Sequence, residues 1–225
     1  MPGPSWSDDD HTDQATIVAN VAVALTAAFA LADARTMPAA RDVKAWHSSI
    51  YDGCAVPSPS YVGHFRGDPG LPDIVDYEVA VGSVLVDGLP ERVGVWADDV
   101  AAAVDQFFDG LAAALAVLDD ALPPGDQPTQ VDALDEVIAL AAEVHGEWVR
   151  IHPFANGNGR TARLLVAHIS YRYGLPIFLA LKPHPDDVAY ARASKASMGR
   201  PPDFAGDHGE ARAVFAYLLT LHLLS

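Results

Sequence analysis

The chain has 225 residues, half of them hydrophobic and one fifth charged. That is too apolar for a disordered segment and enough to build a sizeable core in one domain. With 30 acidic against 14 basic residues the formal charge is −16, which argues against general attraction to nucleic acid or to an anionic membrane while leaving room for a local basic pocket. Cys54 is the one cysteine, so no internal disulfide forms, and a reducing, cytoplasmic setting is expected. The N-terminus has no basic leader and carries an acidic run from Asp8 to Asp10, unlike a secretory signal.

In chain order, residues 1–13 are rich in Pro, Ser and Asp and read as a disordered tail, with one domain over residues 14–225. Residues 16–34 predict a helix apolar on nearly every side and buried. Its apolar stretch, residues 17–32, falls short of the roughly 20 residues that cross a bilayer. A second helix is predicted over residues 41–51, then a Gly-, Pro- and Ser-rich loop over 52–72. The valine-rich, partly alternating segment from Tyr77 to Asp87, closed by Asp87-Gly88, predicts one or two short strands in a small hairpin. Helical spacing returns over residues 98–119, and Pro123-Pro124-Gly125 breaks it. Thr129 and Asp132 resemble a capping box, opening a helix that runs to about Arg150. A further helix is predicted from Asn158 or Gly159 to Tyr173, stopped by Gly174 and Pro176. Residues 187–224 are mostly helical in pattern, with a break near residues 199–202.

Residues 152–163 read His-Pro-Phe-Ala-Asn-Gly-Asn-Gly-Arg-Thr-Ala-Arg, and their chemistry converges on phosphate. The run from Asn156 through Gly157 and Asn158 to Gly159 can turn backbone N–H groups into an anion nest. The helix that follows presents its positive N-terminal end to the same spot. Arg160 and Arg163 lie three apart on that helix, and guanidinium groups grip phosphate oxygens in pairs. His152 follows a helix C-terminus, whose negative end favours an imidazolium and so suits a base that must accept a proton.

This segment resembles the signature of the Fic (Fic/Doc) family, His-x-Phe-x-(Asp or Glu)-Gly-Asn-Gly-Arg-x-x-Arg, at every fixed position except Asn156. The likeness is specific over about residues 131–176, including Tyr173-Gly174-Leu175-Pro176. It implies an all-α, Fic-type helical bundle with a short β-hairpin flap, and transfer of AMP from ATP to a hydroxyl of a target protein. In that reading His152 is the base, Gly157, Asn158 and Gly159 cradle phosphate, Arg160 and Arg163 clamp the distal phosphates, and Phe154 anchors the loop. Asn156 is the residue on the side of a Mg2+ or Mn2+ ion; an amide oxygen can bind a hard cation but brings no charge. The target protein would lie along the flap between Tyr77 and Asp87 by strand addition. Two other readings stay open: a catalytically weak nucleotide- or partner-binding module, and a Fic enzyme that transfers another phosphate-containing group. A P-loop or Rossmann reading fails, because the glycine loop lacks a preceding strand and a Lys-Ser/Thr ending.

Many Fic proteins carry a self-inhibitory (Ser or Thr)-x-x-x-Glu-(Gly or Asn) motif. No Ser or Thr here has Glu four residues later; the nearest echo runs from Ala15 to Ala19-Asn20. The resemblance therefore implies a toxin-like enzyme unrestrained in cis and held by a separate inhibitory, antitoxin-like chain. His145 beside Glu143 and Glu147 could form a metal site, but an ordinary helix residue explains it better. Trp46, Trp96 and Trp148 read as core, and Cys54 lacks a neighbouring base that would make it a nucleophile.

Overall fold

The computed structural model describes residues 6, 13–86, 89–181, 185 and 188–224, with side chains described outside residues 80–92. Among the described residues seven α-helices make the body: α1 (Gln14–Asp33), α2 (Ala40–Ile50), α3 (Val100–Ala121), α4 (Val131–Ile151), α5 (Asn158–Arg172), α6 (Val188–Met198) and α7 (Gly209–Leu224). Two strands, β1 (Val79–Val86) and β2 (Leu89–Val93), pair antiparallel between α2 and α3, with an irregularity between Val81 and Leu85. The fold is mostly helical, as the residue pattern predicts. The turn expected at Asp87-Gly88 lies outside the described residues.

At the centre is α5, buried along nearly its whole length, with α4 and α1 packed against it. Small residues let α1 come close: Ile17, Val21, Ala24, Ala28 and Ala32 recur every three or four positions and are all buried, the spacing of one helix face. Val18 and Val23 are 49% and 61% exposed, so α1 is buried on one face rather than on most sides. Alanine's short side chain made the two faces look alike in sequence. By length and composition alone α1 and residues 97–121 could cross a bilayer, yet each places a row of buried residues in the bundle core.

Trp148 of α4 is fully buried, and its indole N–H donates to Thr161 Oγ1 of α5 at 2.8 Å. This pairs a buried donor that would otherwise be costly and fixes the two helices around the connecting loop. At the far end of the bundle Asp119 accepts from Arg35 (2.8 Å), Arg172 and Tyr173 (3.0 Å), tying together α3, the end of α1 and the end of α5. The capping box expected at Thr129 does not form. The helix begins one residue later, with Gln130 as an extended N-cap that makes no side-chain capping bond. Trp96, expected in the core, is 36% exposed and meets Phe204 edge-on.

Candidate active site

Helix α4 ends at His152, which takes the left-handed conformation (φ 53°) and donates its backbone N–H to Trp148 O at 3.0 Å. A non-glycine residue in this region is uncommon and must be held there. Arg66 does the holding. Its guanidinium is almost wholly buried and donates to the carbonyls of His152 (2.7 Å), Ile151 (3.0 Å) and Val95, and to Glu78 Oε2 (3.1 Å). Its backbone N–H reaches Pro153 O at 2.8 Å. Gly94 passes so close that a Cβ there would stand 2.5 Å from His152 Cβ and 2.7 Å from Arg66 Nη2.

His152 Nδ1 lies 3.0 Å from Val149 O. A carbonyl only accepts, so Nδ1 carries the proton and Nε2 keeps its lone pair. Burial pushes the imidazole down to about 4, and the Arg66 charge adds to that, against the opposing Val149 bond. The helix-end effect anticipated for His152 is thus outweighed by desolvation. At neutral pH the ring rests as a neutral base.

The loop after His152 is pinned by Phe154, fully buried and stacked on His47 with centroids 3.9 Å apart. Asn158 clamps the same residue: its Oδ1 accepts from Phe154 N, and its Nδ2 donates to Phe154 O, both at 2.8 Å. Its side chain therefore serves the loop, and its backbone opens α5. Gly157 is the left-handed N-cap (φ 80°), where a Cβ would meet Tyr51 Oη at 2.7 Å and His47 Nε2 at 3.0 Å; only glycine fits. The N–H groups of Arg160 and Thr161 turn back to Gly157 O, each at 3.1 Å, while those of Asn158 and Gly159, ahead of them, have no carbonyl one turn back, the arrangement that suits an anion at a helix start.

His152, Asn156, Gly157, Asn158, Gly159, Arg160 and Arg163 all line one cavity of about 250 Å³, closed on its other side by Tyr190, Ser194 and Met198 of α6. Arg160 donates to Tyr51 Oη. Arg163 donates to Tyr190 Oη at 3.1 Å and Leu181 O at 2.9 Å. Asn156 Oδ1 accepts from Gly157 N at 2.6 Å, and its Nδ2 donates to Trp6 O at 3.4 Å. No Asp or Glu lines the cavity among the described residues. The described residues do not fit a protein-held magnesium, which is ordinarily bound through one or two carboxylates.

Several contributors escaped the sequence reading. His47 on α2 and Tyr51 at its C-cap stand four apart and support the residues that line the cavity, His47 at Asn156 O and Tyr51 at Arg160. His47 accepts from Gly63 N at Nδ1 (3.0 Å), so it donates from Nε2 to Asn156 O (2.9 Å). Their shared helix face was legible in that spacing. Arg66, alone in a Gly- and Pro-rich loop, gave no signal. Trp6 falls in the segment expected to be a disordered tail, most of which lies outside the described residues; its ring packs on Tyr51 and Tyr61, with centroids 4.6 and 5.9 Å away.

The metal cluster considered around His145 takes a different shape. His145 turns inward to Tyr190 Oη (2.9 Å), and His208 instead joins Glu143 and Glu147. Arg150 already grips both oxygens of Glu147 at 2.8–2.9 Å. His208 Nδ1 is buried without a partner among the described residues, so a metal on Nε2 would strand a buried N–H. The cluster is better satisfied by Arg150 pairing with Glu147 and by the hydrogen bond between His208 Nε2 and Glu147 Oε1 at 3.0 Å.

The description "Fic/DOC family" belongs to a family profile that matches residues 39–170, more than half of the chain. Proteins named "Protein adenylyltransferase Fic" from Aedes aegypti and Culex quinquefasciatus are each 45% identical over 47 residues, 21% of this chain and 9% of their own length. A solved Fic-domain-containing signalling protein from Bacteroides thetaiotaomicron superposes with a TM-score of 0.60 at 19% identity, over 91% of this chain and 69% of that one. With the helical fold, the loop between α4 and α5 and the family match in agreement, the chain belongs to the Fic/DOC family.

Proposed function

We propose that this chain is a protein nucleotidyltransferase that moves AMP from ATP onto a hydroxyl of a target protein. The observation that carries the reading is the meeting, in one cavity, of His152, with Nε2 unprotonated, the open N-terminal turn of α5, and Arg163 and Arg160. The target hydroxyl gives its proton to His152 Nε2 as its oxygen attacks the α-phosphorus. The bond from that phosphorus to the bridging oxygen breaks, and pyrophosphate leaves. The α5 N-terminus and the guanidinium groups stabilise the charge that moves onto the leaving phosphates. The relatives named as adenylyltransferases support the choice of AMP, within the short span that they share. The two-stranded β1–β2 ladder leaves an edge on which an extended target segment could pair.

A second reading, a nucleotide- or partner-binding module with little turnover, draws on Asn156, whose amide is engaged inside the loop and beside Trp6. Incubation with α-labelled ATP and a cell lysate separates the two, with and without magnesium, beside a His152→Ala control. Label on protein that requires His152 supports transfer. Nucleotide binding by calorimetry without label on any protein, with other labelled nucleotides also silent, supports the module.

A further inference from the structure

We infer that the cavity takes its phosphate-bearing ligand as the free anion, with no divalent cation held by the protein. This deepens the proposed function and rests on it for the class of ligand.

Three observations converge. First, no carboxylate lines the cavity among the described residues, and its two amide side chains are engaged elsewhere. Asn158 clamps both backbone groups of Phe154. Asn156 accepts an N–H at its oxygen and donates its NH2 to a carbonyl. Because an N–H only donates and a carbonyl only accepts, these two contacts set the orientation of the Asn156 amide, whose uncharged oxygen already spends one of its two lone pairs on Gly157. Second, the cationic side is well developed. Among the described residues the partners of Arg163 are a phenol and a backbone carbonyl, both neutral. The guanidinium therefore keeps its charge for an anion, and the N-terminal end of α5 adds to it. Third, the one imidazole that lines the cavity, His152, cannot use Nε2 both to bind a metal and to accept a proton, and the hydroxyls of Tyr190 and Ser194 bring no charge to a cation.

Asparagine at 156 also has a positive reason. Aspartate has no N–H to give Trp6 O and would set two oxygens against each other. The residue is matched to the chain's own Trp6, and a metal is not required to explain it.

The test is calorimetric titration of the full chain with inorganic pyrophosphate, and separately with ATP, in EDTA and in excess magnesium, after correction for complexes formed in solution. The expected result is a pyrophosphate Kd that changes by no more than about threefold with magnesium. Asn156→Asp should bind pyrophosphate about tenfold more weakly in EDTA, by roughly 1.4 kcal/mol, and recover when magnesium is added. Wild-type affinity that rises more than about threefold with magnesium overturns the inference, as does an Asn156→Asp protein indifferent to the metal. Pyrophosphate that binds while ATP does not would sink the nucleotide reading and leave the metal-free anion site standing. If neither binds, both fall.

Discussion

Arg66 Nε donates to the carbonyl oxygen of His152 at 2.7 Å, across 86 positions of sequence. The same guanidinium holds the carbonyls of Ile151 and Val95 and the carboxylate of Glu78. One buried cation thereby joins the end of α4 to the residues that flank the β1–β2 ladder on both sides. It compensates the negative end of α4 and keeps His152 in a left-handed conformation that a non-glycine residue would otherwise leave.

Arg66→Gln should therefore act on stability and on the site together. Removing one partner of a buried, hydrogen-bonded pair costs about 3–5 kcal/mol, read by chemical denaturation. Glu78 is partly exposed, which places the loss toward the lower end. In whatever fraction folds, the acid limb of the pH–rate profile should move upward, because the Arg66 charge that depresses His152 is gone. An unchanged limb would mean that Arg66 acts on stability alone.

The proposed base has a distinct pH signature. Burial holds His152 at about 4, so its neutral, proton-accepting form persists well below the ordinary histidine range. Transfer activity should stay flat down to about pH 5 and decline below it. A limb near pH 6.5 would contradict the buried, neutral His152. Replacing His152 by Ala should reduce transfer by ~10²–10⁴-fold with little change in nucleotide affinity.

Stability should fall in mild acid for a related reason. Burial pushes His145 down to about 3, and His152 and His168 to about 4. Below about pH 6.5 the unfolded chain takes up protons that the folded chain refuses, so the unfolded state gains. Stability is greatest above the unfolded histidine pKa and is lost as pH drops toward the folded values. At about pH 5 the loss is ~2 kcal/mol per histidine at most, from the shift between the two states. Denaturation midpoints compared at about pH 7.5 and about pH 5 check this. Replacing His168, which touches α1 through Ala28 O, should flatten the dependence.

Ala19→Glu should leave activity unchanged. Ala19 lies on the exposed face of α1, while the adjoining Asn20 donates to Ile50 O and Asp52 O at the end of α2. A glutamate at 19 would face solvent and not Arg163, whose described partners come from α6 and from Leu181. Strong inhibition by this variant in the labelled-transfer assay would revive the idea of a degenerate brake in α1.

Residues 152–163 carried in sequence both the loop and the helix start that the proposed function assigns to an anion. That much is local: glycine where the backbone must turn left-handed, a helix start, and arginines three apart. The helical periodicity of residues 131–151 was legible because burial there repeats every three or four positions, and the helix over residues 158–172, buried nearly all round, was legible from its start and stop signals. The resting state of His152 was decided by tertiary structure. A helix end favours the charged ring, and only packing shows that desolvation is stronger. The role of Asn156 was decided there too, because its partners are its neighbour Gly157 and a residue 150 positions away. Arg66, His47 and Tyr51 reach the site across long sequence separations, which no local pattern records. The sequence by itself determined which residues could handle a phosphate; folding decided which carry a proton, which hold the loop, and which face the cavity.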